Sequence, residues 1–251
     1  MPSIENKLTY DLSHLEQSQQ KWQKSNALQF VYGQFYKDIQ KELSSEYVLE
    51  LGSGIGNGKE FIPELITSDI IKTPFVDRAV DAYNIPEEHW SAIIALDVLH
   101  HLQQPFAFFE SATRALKPSG RIVMIEPAAT PFGRLFYGLF HEEPIIPEKL
   151  QAPYEFPADN EKGLFANMGM GVALFKRDKF QVEKQLNKMG LKLISLSWRD
   201  FLAYPLTGGY SGPTLAPGCL IRGMMNIESW LPQCMLKMLA LRMVIVLEKQ
   251  N

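Results

Sequence analysis

A glycine-rich turn, a series of single carboxylates beyond it and two adjacent histidines are the groups in this sequence best placed to do chemistry. The turn reads Glu50-Leu51-Gly52-Ser53-Gly54-Ile55-Gly56. Glycines there permit a tight reversal and let backbone N–H groups approach a ligand closely. Such a turn also occurs with no ligand role, so its neighbours must decide. The dinucleotide fingerprint G-x-G-x-x-G requires a third glycine where Asn57 stands. A P-loop requires Gly-Lys-Ser/Thr, and Gly58-Lys59-Glu60 does not supply it. An acid inside the turn, Glu50, repels phosphates.

A ligand with cationic groups and no phosphate suits this turn better, and S-adenosylmethionine (SAM), with its amino group and sulfonium, has that character. Downstream, Asp69 closes a short strand, where it reads as a ligand contact or as a helix cap or turn residue. Asp81 reads as a ligand contact or a surface turn carboxylate. His100-His101 follow a strongly apolar segment; histidine is a ready general base, although the pair also suits a structural role in the turn. His141-Glu142-Glu143 is the best polar cluster for a base, with surface charge as the plain alternative. Phe132, Leu135, Phe136, Tyr137 and Phe140 read equally as a pocket lining or as the core face of a helix. Tyr204 and the run Gly208-Gly209-Tyr210-Ser211-Gly212 read as a flexible substrate loop or as a turn. Cys219 and Cys234 lack zinc-type spacing, and no metal site is expected.

The elements that must position these groups alternate in type. Residues 10–23 and 28–43 have helical periodicity, the second with Leu28, Val31, Tyr32, Phe35 and Ile39 recurring on one face. Residues 47–51 form a short apolar strand that ends in the glycine turn, and 58–65 a short helix. Strands follow at 66–70 and weakly at 75–80. Residues 92–96 are apolar throughout, as a buried parallel strand should be. A helix over 105–117, a strand over 121–126, a helix around Val182, Leu186 and Met189, and strands over 191–198 and 241–248 complete the pattern. Strands alternating with helices predict a mostly parallel sheet covered on both faces, with ligands at the carboxyl ends of its strands.

Composition bounds the function. The 251 residues fit one domain, and 46% hydrophobic with 21% charged residues fits an ordinary globular protein. The net charge of −3 offers no broad basic surface, so nucleic acid is not expected as a partner. The opening residues lack a secretory apolar stretch, and Pro232, Lys237 and Arg242 interrupt the apolar stretch at 230–247. A cytoplasmic protein with no stable membrane insertion is expected. Oligomeric state is not legible.

Five pieces in order resemble the class I SAM-dependent methyltransferases, and within them the type 11 subfamily. Residues 48–56 look like the first motif, an apolar strand followed by E/D-x-G-x-G-x-G. Asp69 resembles the acidic residue that accepts bonds from the ribose hydroxyls. Val80-Asp81-Ala82-Tyr83-Asn84-Ile85-Pro86 is similar to the D-A-x-x-L-P stretch whose aspartate contacts the adenine amino group. Ala95-Leu96-Asp97-Val98-Leu99-His100-His101-Leu102 resembles the fourth strand and the V-L-H-H-L turn. Lys117-Pro118-Ser119-Gly120-Arg121 resembles the L-K-P-G-G turn before the fifth strand. The segment between Asp69 and Asp81 is short for the family, and Asn57-Gly58 departs from its usual residues.

The resemblance implies an α/β, Rossmann-like class I methyltransferase fold, with a seven-stranded mostly parallel sheet, helices on both faces and capping insertions. It implies SAM contacts from Glu50, Gly52, Ser53, Gly54, Gly56, Asp69, Ile70, Asp81, Ala82, Leu96, Asp97 and His101. One domain is expected: a helical cap over 1–45, a SAM-binding core over 46–127, and lids at 128–176 and 199–240. The lids predict acceptor contacts from Phe136, Tyr137, His141, Tyr204 and Tyr210, with His141 and His101 as candidate catalytic groups. The D/N-P-P-Y/F motif of amino methyltransferases is replaced by Leu96-Asp97-Val98-Leu99. A small-molecule, sugar or lipid-linked acceptor, methylated on oxygen, is therefore expected. The alternative is a SAM-binding scaffold or regulator of the same fold.

Overall fold

The computed structural model describes residues 4–44, 47–157 and 165–250. Two helices lead, α1 (Ile4–Lys24) and α2 (Asn26–Gln40). Ser25 separates them and caps the second, its Oγ accepting from the Leu28 N–H. The strands that follow are β1 (Val48–Leu51), β2 (Ile66–Asp69), β3 (Arg78–Ala79), β4 (Trp90–Leu96), β5 (Leu116–Pro127), β6 (Leu191–Arg199) and β7 (Arg242–Lys249). They form one seven-stranded sheet in the order β3-β2-β1-β4-β5-β7-β6. β1 to β5 are mutually parallel where they pair, and β7 is antiparallel to both β5 and β6. β6 therefore runs in the direction of β5, and its exit reaches the same edge, as expected.

Strand alternation divides the apolar residues between two cores. On one face, Val48, Ala92, Ile94, Val123, Ile125, Val244 and Val246 pack against Leu28, Val31, Phe35 and Ile39 of α2. On the other, Leu49, Ile93, Ala95, Ile122, Met124, Ile245 and Leu247 pack against α3 (Pro105–Ala115) and α6 (Lys179–Lys188). The N-terminal helices thus cover the face at β1, where the connections to β2 and β3 carry no α-helix. The expected helix over 58–65 is only a 3₁₀ turn at Asn57–Glu60. Pro63 explains this, since it lacks an N–H and disfavours helical geometry at Ile62. The link from β2 to β3 spans only residues 70–77, in keeping with the shortness seen in the sequence.

The turn expected over 117–121 lies within β5. Trp90 pairs with Leu116 but Ala92 with Arg121, so the extra residues bulge out while the strand continues. The two long connections hold more helix than their irregular sequence suggests. After β5 comes α4 (Pro131–Phe140), with Thr130 Oγ1 accepting from the Gly133 N–H and proline at the first position. A short helical segment, α5 (Met170–Val172), continues into a wider turn at Ala173–Arg177. After β6 come α7 (Ala203–Thr207), α8 (Gly218–Ser229) and α9 (Gln233–Leu239). Among the described residues, no helix is long and apolar enough to cross a membrane.

Candidate active site

The carboxyl ends of β1 and β4 and the start of β7, roofed by residues from both long connections and from the two N-terminal helices, line a cavity of about 460 Å³. Its floor is the glycine turn. Gly52, Gly54 and Gly56 all have positive φ, at 62°, 53° and 67°. A Cβ at Gly52 would stand 2.6 Å from Val98 Cγ2, and one at Gly56 would stand 2.1 Å from the Phe75 carbonyl oxygen. Glycine is therefore required at both for conformation and for space. Ser53 ties the turn to β2, its N–H donating to the Ser68 carbonyl at 2.8 Å. The Gly54 N–H donates to Asp69 Oδ2 at 3.0 Å.

Glu50 lies in β1, buried, beneath this turn. Its Oε1 accepts from the Tyr36 hydroxyl at 2.6 Å, whereas Oε2 is buried without a partner. Burial raises its pKa from 4.5 to about 7, an effect the nearby Tyr36 and Ser53 hydroxyls only partly offset. An unpartnered carboxylate oxygen, buried in a cavity wall beside a glycine turn, is costly unless a ligand supplies a donor.

At the exit of β4, Asp97 takes a left-handed backbone conformation, φ 58°, and pairs with the guanidinium of Arg242 at the start of β7. That guanidinium also lies 5.0 Å from the Tyr204 ring centroid. The turn Leu99–His101 is held by one side chain, Glu126 of β5. Its carboxylate accepts from the N–H groups of Val98, Leu99 and His100 at 2.9, 2.8 and 3.3 Å, and bonds His100 Nδ1 at 2.7 Å. His100 Nε2 then meets Glu143 at 3.4 Å, and His101 Nε2 meets the same carboxylate at 3.8 Å. Burial works against the charged form of His100, but Glu126 outweighs it and holds the ring at about 10. Burial likewise raises Glu143, and the His100 hydrogen bond with the neighbouring histidine charges brings it down to about 2.

The roof is aromatic. Tyr32 packs edge-on to Tyr210, with centroids 5.5 Å apart. Asn57 Nδ2 donates to the Tyr210 hydroxyl at 3.2 Å, which joins the second long connection to the glycine turn. The residue that breaks the dinucleotide fingerprint thus has a definite task. His14, Leu15 and Ser18 of α1 also line the cavity.

Of the residues singled out in the sequence, Glu50, Gly52, Ser53, Gly54, Leu96, Asp97, His101, His141, Tyr204 and Tyr210 line this one cavity. Gly56, Asp69, Ile70, Asp81 and Ala82 do not line it. Gly56 faces Phe75, and Asp69 is engaged with Gly54. Asp81 bonds the Tyr83 N–H on the surface, and Ala82 packs on the core. Ile70 is 71% exposed at the end of β2. Phe136 and Tyr137 also lie off the cavity. Tyr137 is 1% exposed and donates its hydroxyl to the Leu241 carbonyl, while Phe136 packs between Phe132 and Phe140. Glu126, Arg242, Tyr32 and Tyr36 were not expected as site residues. The signal for Glu126 and Arg242 was present, since each is a charge that directly adjoins a run of apolar strand residues.

The sequence family described as a methyltransferase domain matches residues 27–196. No curated protein matches the chain. Among solved structures, it is similar to a SAM-dependent methyltransferase from Archaeoglobus fulgidus, with 15% identity and a TM-score of 0.51 over 88% of this chain and 94% of that one. A 1,6-didemethyltoxoflavin-N1-methyltransferase from Burkholderia thailandensis, solved with bound 1,6-didemethyltoxoflavin and S-adenosylhomocysteine, aligns with 100% of this chain and 92% of its own, at 11% identity and a TM-score of 0.47. A SAM-dependent methyltransferase from Mesorhizobium loti aligns with 85% and 96%, at 12% identity and a TM-score of 0.47.

Proposed function

We propose that the chain, which belongs to the methyltransferase domain family, uses SAM as its methyl donor and methylates a hydroxyl oxygen of a small-molecule, sugar or lipid-linked acceptor in the cavity above the glycine turn. The observation that carries the placement is the buried, unpartnered Oε2 of Glu50, which suits a cationic donor. Gly52, Ser53 and Gly54 give the backbone close approach, while Leu96, Asp97 and His101 bound the opposite side. The adenosine half extends beyond the cavity over the end of β2. There Asp69, exposed Ile70, Asp81 and Ala82 receive it, and Gly56 holds the turn in shape.

SAM supplies a methyl group on a positively charged sulfur, already a good leaving group. The protein's part is to align the acceptor oxygen, exclude water and accept a proton. Tyr204 and Tyr210 close the roof and Arg242 fixes Asp97 beneath it. His101 and Glu143 orient the acceptor hydroxyl, and His141, on the same cavity, takes its proton. The segments 128–176, of which 158–164 lie outside the described residues, and 199–240 contribute His141, Tyr204 and Tyr210 as lid residues over the acceptor.

Incubation with methyl-labelled SAM and a panel of hydroxylated metabolites tests this reading. Label in an ether product is expected, with His141→Ala lowering kcat roughly 10²-fold or more and leaving SAM affinity unchanged. Label on nitrogen or carbon contradicts the oxygen acceptor. SAM binding with no transfer to any acceptor points to a scaffold instead.

A further inference from the structure

We infer that His100 Nε2, His101 Nε2 and the Glu143 carboxylate form a binding site for one divalent transition-metal ion, Zn²⁺ by ligand type, at the acceptor end of the cavity. Among the described residues, these are the histidine and carboxylate groups whose donor atoms converge in metal-ligand fashion, all within 4.8 Å of one another. Ligand atoms bound to zinc at about 2.0–2.1 Å in a tetrahedron stand roughly 3.4 Å apart. The separation of His100 Nε2 from Glu143 Oε2 is 3.4 Å, and that of His101 Nε2 from Oε1 of the same carboxylate is 3.8 Å. Small side-chain rotations close the second gap, because His101 and Glu143 are 45% and 30% exposed on the cavity side.

The supporting groups are those of a metal site. A ligating histidine commonly donates its second ring N–H to a carboxylate, which fixes its orientation. His100 Nδ1 has that partner in fully buried Glu126, at 2.7 Å. The same carboxylate holds the backbone N–H groups of Val98, Leu99 and His100, so both histidines project from a rigid turn. The His100 carbonyl accepts from the Asn167 N–H, and the Pro144 carbonyl beside Glu143 accepts from the Met168 N–H. The third ligand is thereby held to the same segment as the first. Metal binding at His100 replaces the proton that its Nε2 shares with Glu143, and that proton is released. A hydrogen-bonded His100 between two carboxylates explains part of this cluster. It does not explain why His101 turns its Nε2 to the same carboxylate from the neighbouring position.

Three protein ligands leave a coordination position open, and all three line the cavity together with His141. That position would take an acceptor oxygen, a step that rests on the acceptor reading above. The site itself does not depend on that reading.

Calorimetric titration of the full-length, chelator-treated protein with ZnCl₂ tests the inference, paired with SAM titration of the same sample. One saturable zinc equivalent at micromolar affinity or tighter is expected. Glu143→Gln and His101→Ala should each weaken it at least ~10–100-fold, while His89→Ala, remote on the surface, leaves it unchanged. SAM binding by each variant reports that it is folded. A wild-type chain that takes up no zinc, or variants that bind it as tightly as the wild type, overturns the inference. A chain that binds SAM but no zinc overturns the metal site alone. One that binds zinc but no SAM overturns the donor reading alone.

Discussion

Glu50 and Glu126 stand on β1 and β5, the two strands that flank β4, and both are buried at the edge where the cavity opens. Their surroundings differ completely. Glu126 accepts from three backbone N–H groups and a histidine ring. Glu50 accepts from one tyrosine and leaves an oxygen unpartnered. A buried acid whose oxygens are all engaged is a part of the wall. A buried acid that borders a cavity and has an unpartnered oxygen keeps capacity for a ligand, at a cost to the ligand-free fold. The cavity therefore has a built side, the His100-His101 turn backed by Glu126 of β5, and a receptive side around β1.

The comparison breaks most sharply at Glu126. Glu126→Ala removes the partner of His100 and frees three N–H groups, and should cost about 3–5 kcal/mol of stability, read by urea denaturation. A loss below about 1 kcal/mol would deny Glu126 its wall role.

Glu50 should respond with the opposite sign. Its carboxyl is raised from 4.5 to about 7 in the folded chain, so the unfolded chain ionises first. Ionisation therefore costs stability in the native state, nothing below 4.5 and the full amount above about 7. The ligand-free protein should gain stability as pH falls through that window. Glu50→Gln should raise its stability at pH 8 by up to about 3 kcal/mol and flatten the pH dependence of thermal melts. SAM affinity should move the other way, weakening below about pH 7 as the carboxylate is protonated.

The receptive side was more legible in the sequence than the built side. Glu50 and the glycine turn lie within seven consecutive residues, and a tight turn prescribes its residue types locally. The alternation of strands and helices was equally readable, because burial on a sheet face imposes a period of two and on a helix one of 3.6. The cluster of His100, Glu126 and Glu143 draws on three segments and exists only once β4, β5 and the following connection fold together. Nothing local required Arg242 to meet Asp97 across 145 positions, or Tyr210 to meet Asn57 across 153. Tyr137 shows the converse. Its aromatic setting suggested a ligand contact, but an amphipathic helix packs such a residue inward by the same pattern.

Smaller effects sharpen the boundary of the receptive side. Gly52→Ala meets both a positive φ and Val98 Cγ2 at 2.6 Å. It should cost about 1–2 kcal/mol and weaken SAM binding, whereas a neutral result would show that the turn can shift. Asp81→Ala removes an exposed carboxylate beyond the cavity. A loss of roughly 10-fold in SAM affinity or less, about 1.4 kcal/mol, is expected in calorimetry, with unchanged melting. No loss at all would move the adenine away from Asp81.

Calorimetric titration of the full chain with SAM at pH 8, set beside NADH and beside the Glu50→Gln variant, tests the central claim most directly. Saturable SAM binding at one site per chain, no NADH binding and at least about 10-fold weaker SAM binding in the variant, a difference of about 1.4 kcal/mol, are predicted. NADH binding in place of SAM, or equal SAM affinity in the variant, would contradict the assignment of the glycine turn and Glu50 to the methyl donor.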